Sequence, residues 1–216
     1  MSGEILFLAH RMPFPPDRGD KIRSHHILRK LAEIAPVHVA TFAESEADLA
    51  CEGELAAVAA SHCLARRTKP LLRAGVEALL RREPVSLAAF RSGMLSHYVA
   101  GVVDKRPIRT IYVFSGQMGQ YVPKAFAGRV LMDLVDVDSA KFEAYAAAKS
   151  WPMSWVDARE GRLLRAEEDR LARRAGNTLL ISEAEAALLR SRLSDPGSAQ
   201  VCVLGNGIDA AAFDPG

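Results

Sequence analysis

The chain has little cysteine. Cys51, Cys63 and Cys202 are three in 216 residues, an odd number, scattered and without metal-ligand spacing. That excludes a disulfide framework and a thiolate zinc site, and it fits free or buried thiols in a reducing cytoplasm. Long apolar runs are also missing, none approaching the ~18 residues needed to span a bilayer. Met1-Ser2-Gly3-Glu4 runs straight into an apolar stretch with no basic region or cleavage site, so no signal peptide is expected. Nor is there a charge excess. Lys and Arg number 28 against 26 Asp and Glu, a formal +2, which argues against bulk binding to nucleic acid and makes any basic function local. The first apolar segment is not followed by G-x-G-x-x-G, nor is an acidic residue where that motif would need it, which weakens a nicotinamide-dependent oxidoreductase. There is no internal repeat and no low-complexity linker. What remains, 49% hydrophobic and 25% charged residues, is ample for one large globular domain.

Apolar segments and helical patterns alternate along the chain. Strands are expected at Ile5–Ala9, 36–42, 62–66, 110–114, 130–135, 178–181 and 201–204. Between them the pattern predicts helices from Ile22 to Ile34, over Ala47–Ala60, over Lys69–Arg82 up to the stop at Pro84, and over Ser86–Val103. Two more cover 139–148 and 157–175, and Ser182 with Glu185 forms a capping box for a last one. This order predicts an α/β fold: a Rossmann-like, doubly wound, mainly parallel sheet with helices on both faces.

Ligands of such sheets bind beyond the carboxyl ends of the strands. The first such loop is Phe14-Pro15-Pro16-Asp17-Arg18-Gly19-Asp20-Lys21-Ile22-Arg23. Gly19 permits close backbone approach, the helix start behind it offers free N–H groups to an anion, and Lys21 and Arg23 add positive charge. The same residues also describe a loop with Asp20 as a helix cap and no ligand. At the other end, Val201–Leu204 leads into Gly205-Asn206-Gly207-Ile208-Asp209 and then Phe213-Asp214-Pro215-Gly216.

Together, P-P-D-x-G-D-K-x-R after the first strand and N-G-I-D-x-x-x-F-x-P from Asn206 resemble the retaining GT-B glycosyltransferases of family four. The nearest likeness is to bacterial sugar transferases associated with exopolysaccharide and exosortase loci. It runs over essentially the whole chain, most specifically in the two terminal motifs and elsewhere mainly in pattern. It implies that residues 1–205 form the Rossmann-like acceptor-side domain. Residues 206–216 would start the handover to an absent carboxy-terminal domain carrying most of the nucleotide-sugar site. The implied reaction moves a sugar from a nucleoside diphosphate, with retention, to a glycan or lipid-linked acceptor in polysaccharide synthesis. No cofactor or metal is implied, and the chain alone would be inactive. Asp17, Gly19, Asp20, Lys21, Arg23, Ser115, Gly116 and Asn206 are the substrate-binding candidates. The implied location is cytoplasmic, with peripheral contact at the inner membrane face left open.

Two departures stand out. Gly19-Asp20 replaces the family's Gly-Gly pair. Val135-Asp136 replaces its His-Asp pair, which makes Asp136, with Asp138 behind it, the candidate catalytic contact to sugar or acceptor. A structural role, with Asp138 or Ser139 as a helix cap, is the alternative. His25 and His26 lack metal spacing, and a histidine packed on the sheet explains one of them. Trp151-Pro152-Met153-Ser154-Trp155 reads as a membrane-surface or sugar-stacking patch, or as a staple into the next helix. The mixed charges from Arg159 to Arg174 read as a solvated face, with Glu168, by the resemblance, as an inward structural partner. A non-catalytic module binding a nucleotide or phosphorylated metabolite is the competing function.

Overall fold

The structure, a computed structural model, describes residues 3–207. One seven-stranded sheet organises them, all parallel, in the order β3-β2-β1-β4-β5-β6-β7. The strands are β1 Glu4–Ala9, β2 Val37–Ala43, β3 Ser61–Arg66, β4 Ile108–Phe114, β5 Arg129–Val135, β6 Asn177–Leu180 and β7 Val201–Val203. Successive side chains of β1 serve opposite faces. Leu6 and Leu8 pack with Ala40, Phe42, Ile111 and Val113, whereas Ile5, Phe7 and Ala9 pack with Val37, Val39, Tyr112 and Phe114. Both faces are covered, so the central strands read as continuous apolar runs.

The helices are α1 Gly19–Ile34, α2 Glu46–Ala50, α3 Glu52–Val58, α4 Leu71–Arg81, α5 Val85–Ala89, α6 Gly93–Lys105, α7 Asp138–Ala148, α8 Met153–Arg174 and α9 Glu183–Arg192. Three expectations need correction. The helix expected at Ala47–Ala60 is two, α2 and α3, because Cys51 ends one and starts the next and a Ser45–Asp48 capping box fixes the first. The helix expected at Ser86–Val103 is also two. Ser92 starts α6 by accepting from Leu95 N–H, and its own N–H donates to the Tyr121 hydroxyl 2.8 Å away. The last long helix starts at Met153, so Trp155 lies within it.

Buried carboxylates tie the helices together. Glu160, part of the charge pattern that reads as solvated, points inward, and Glu168 points inward as the resemblance implies. Glu160 accepts from the N–H groups of Val85 and Ser86, at 2.7 and 2.9 Å, and so caps α5. Glu168 accepts from Ser139 N–H at 2.8 Å and from its hydroxyl at 2.5 Å, which caps α7. Neither Asp138 nor Ser139 is the cap residue. That position is Val137, whose N–H donates to Glu185 at 2.7 Å, so Glu185 reaches another helix instead of its own capping box. Ser182 does cap α9.

Candidate functional site

The sheet winds outward in both directions from β1 and β4, so the crevice beyond their carboxyl ends is the topological switch point. The loop after β1 crosses this edge anchored by Met12 and Phe14, both buried, with Met12 N–H donating to Phe42 C=O at 2.8 Å. Its first residue, His10, is clamped between aromatics. The imidazole stacks on Phe114 and meets Phe90 edge-on, both at 5.8 Å between centroids. His10 Nε2 lies 3.3 Å from Arg11 Nη1 and 3.5 Å from Asp20 Oδ2. His10 Nδ1 is buried without a partner among the described residues.

Around it lies a charged network. Arg11 donates Nη1 to Asp20 at 2.6 Å and Nε to Glu44 at 2.8 Å. Arg18 Nη2 donates to Glu44 at 3.0 Å, and Arg67 lies 2.9 Å from its other oxygen. Burial opposes ionisation of Asp20, but hydrogen bonds from His10 and Arg11 outweigh it and hold the carboxyl well below the usual range. Glu44 is lowered too, against its burial, chiefly by Arg11. Three guanidiniums therefore face two ionised carboxylates, while Lys21 close by meets two more, Asp17 and Asp48, so the cluster as a whole is charge-balanced. Asp20 is the second residue of α1. The cap position is Arg18, with no side-chain cap bond, and Asp20 Oδ1 accepts from Lys21 N–H. A helix start without a side-chain cap is a donor for anions.

The wall across the crevice comes from β4 and β5. Ser115 follows β4 with φ 78° and ψ 140°, a conformation that glycine tolerates and serine strains to hold. Its hydroxyl donates to the Gln117 side chain, and Gln117 Nε2 reaches Asp138 at 3.4 Å. Val135 at the end of β5 has φ 70°, a genuine outlier for a β-branched residue. Beyond it, Lys141 donates to Asp136 at 2.5 Å and lies 3.2 Å from Asp138. Burial raises the Asp138 pKa; Lys141 counters this, Asp136 adds to it, and a weak attraction reaches Asp138 from His10. A cavity of about 10 Å³, room for roughly one water, lies behind this wall among Gly116, Gln117, Asp136, Asp138, Glu168 and Leu171.

The structure thus brings together Gly19, Asp20, Ser115, Gly116, Asp136 and Asp138 around the crevice, while other candidates sit differently. Asp17 is exposed, 3.4 Å from Lys21. Lys21 is buried and donates to buried Asp48 at 2.6 Å. Arg23 is buried on Asp133 at 3.0 Å, and its Nη1 donates to Leu204 C=O at 2.8 Å and to Asn206 Oδ1 at 2.9 Å. The charges of Lys21 and Arg23, expected to meet a ligand, are neutralised internally. Asn206 is held from the protein side. Ile208, Asp209, Phe213 and Pro215 of the terminal motif lie outside the described residues. His25 packs edge-on against Phe14 at 4.6 Å, and His26 is exposed.

Sequence reasoning passed over His10, Arg11 and Glu44. The signal was available for the first two, which follow β1 directly; the ligand loop begins at His10, four residues before Phe14. Among the described residues no group of three or more His, Cys, Asp or Glu is placed to hold a metal ion.

No protein family matches the chain, and no curated protein does. Solved structures do. The Candida albicans trehalose-6-phosphate phosphatase N-terminal domain superposes with a TM-score of 0.52 at 14% identity, covering 99% of this chain and 50% of that one. TcCGT1, solved in complex with UDP, superposes with a TM-score of 0.51 at 10% identity, covering 99% and 55%. The chain therefore spans about half the length of the solved chains it matches. At these identities the likeness establishes the Rossmann-like α/β fold.

Proposed function

We propose that this chain is the acceptor-side, amino-terminal half of a GT-B glycosyltransferase of the family-four type. It would move a sugar from a nucleoside-diphosphate sugar to a glycan or lipid-linked acceptor. The observation that carries the proposal is the switch-point crevice, where the start of α1, whose cap residue makes no side-chain bond, adjoins the guanidiniums of Arg11 and Arg18. The superposition over 99% of the chain with a protein that holds UDP supports it, as do the two terminal motifs.

In this assignment the α1 start, with Arg11 and Arg18, faces the diphosphate, and Asp136 and Asp138 line the sugar. As the bond from the anomeric carbon to the diphosphate oxygen breaks, an oxocarbenium-like centre develops. The acceptor hydroxyl forms the new bond on the same face, and its proton passes to the departing phosphate oxygen. Stabilising the departing charge matters more than a strong base.

The test is release of nucleoside diphosphate from UDP-, GDP- and ADP-sugars, with this chain assayed beside the product of the full reading frame. Turnover of one donor by the longer protein supports the proposal. Failure of every donor, with a phosphorylated metabolite binding tightly instead, favours the non-catalytic module.

A further inference from the structure

Helix α4 is amphipathic the wrong way round for a globular domain. Its small residues Ala74 and Ala78 face the core at 0% exposure, while Leu72 and Leu80 stand 83% and 82% exposed. Leu71, Val76 and Leu79 extend the same stripe, each more than half exposed. A stripe of five large aliphatic residues on one short helix is not the scattered apolar exposure of an ordinary surface.

A second apolar group stands close by. At the tip of the α7–α8 hairpin Trp151 is 81% exposed, and Trp155 and Met153 are at least half exposed. Arg159, one turn after Trp155 on α8, donates to the carbonyls of Ala78 and Glu83 at 3.0 and 3.2 Å. That bond ties the end of α4 to the first turns of α8.

The charge around this surface has one sign. Glu77, the acidic residue of α4, is neutralised by Lys69 and Arg91 at 2.9 and 3.0 Å, and Arg91 also holds Glu83. Asp157 is buried against Lys149. Arg73 and Arg82 are exposed and have no ion-pair partner among the described residues, and Arg81 lies 3.6 Å from Glu77. Leucines along one helix face, tryptophans at its edge and free arginines at its flanks are what a bilayer interface with anionic headgroups accepts. No described helix is long and apolar enough to cross a membrane, so the contact lies on the surface.

We infer that α4, with the α7–α8 tip, is a peripheral docking surface for an anionic lipid bilayer. This goes beyond the transferase assignment, and its test uses neither nucleotide nor sugar, so the two fail separately. The test is co-sedimentation of the full chain with vesicles, either of phosphatidylcholine alone or of equimolar phosphatidylcholine and phosphatidylglycerol. Tryptophan emission is followed in parallel.

The protein should pellet with the anionic vesicles, remain in solution with phosphatidylcholine, and shift its emission to the blue. Leu72→Glu/Leu80→Glu should weaken binding about tenfold or more, and Arg73→Glu/Arg82→Glu by about as much. All four side chains are exposed, so both variants should keep the wild-type melting temperature. Binding that ignores these substitutions, or no binding to anionic vesicles, would overturn the inference. So would a concentration-dependent dimer that Leu72→Glu/Leu80→Glu dissolves while vesicles go unbound, since a second copy would then be the occupant.

Discussion

Arg23 of α1 and Asp133 of β5 are 110 residues apart in sequence and form a buried, two-point ion pair. Arg23 Nη2 and Nε donate to Asp133 Oδ2 at 3.0 and 3.2 Å, and the Tyr112 hydroxyl adds a third bond at 2.8 Å. The remaining Arg23 nitrogen holds Leu204 and Asn206. One guanidinium thus joins the helix behind the ligand loop, the sheet and the segment after β7.

Removing only one partner leaves a buried charge exposed to nothing. Arg23→Ala should cost about 3–5 kcal/mol, measured by denaturant unfolding. Arg23→Met/Asp133→Leu, which removes both charges, should be markedly more stable than Arg23→Ala. Equal losses in the two would refute a charge-pair role.

Glu168 makes a pH prediction. Burial raises its pKa to about 7, although both of its bonds from Ser139 pull the other way. The folded state therefore holds a proton that the unfolded state releases near the ordinary glutamate value, about 4.3. Stability from this group is fully present below that value and is lost as pH rises through about 7, on the order of 3 kcal/mol in all. The melting temperature should fall between pH 5 and pH 8, and Glu168→Gln should flatten that fall. An unchanged pH profile in the variant would assign the dependence elsewhere.

Backbone strain is concentrated at the crevice, at Ser115 and Val135, on neighbouring strand ends. Ser115→Gly should raise stability by about 1 kcal/mol by relieving that strain. It should also lower turnover of the intact enzyme, because the Gln117 side chain loses its hydroxyl donor. A variant both more stable and equally active would remove Ser115 from the site.

His10→Phe keeps the stacking on Phe114 and Phe90 and deletes both ring nitrogens. It should fold normally and lower donor turnover, because Asp20 at the start of α1 loses its contact with Nε2. Full activity would exclude a polar role for His10.

A side chain at Gly19 would meet no protein atom within 4 Å, so Gly19→Val should leave the fold intact and block only a ligand. Asp136→Ala, at a partly exposed carboxylate held by Lys141, should likewise spare folding. Each should reduce donor turnover. Wild-type rates in both would sink these assignments.

The fold was legible because β1, β2 and β4 are buried on both faces and so appear as apolar runs between amphipathic stretches. Long-range polar pairing was not legible. Nothing local in α1 shows that Lys21, Arg23 and Ser24 are buried while Ile22 and Ile34 are exposed; their partners, Asp48 and Asp133, lie far along the chain. The same holds for Glu160, which caps a helix contributed by another segment, whereas Glu168 is legible as inward only through the family resemblance. His10 was hidden by the opposite problem, since a lone histidine at a strand end gains meaning only once the strand order makes that end the switch point.

The most direct measurement is a titration of the isotopically labelled product of the full reading frame with UDP, GDP and ADP, following backbone amide resonances. The account predicts shifts at Gly19, Asp20, Ser115 and Gly116 for one of the three. No shift with any nucleotide would contradict it. So would shifts confined to the groove around His38, Ser61 and Tyr98, at the opposite end of the strands.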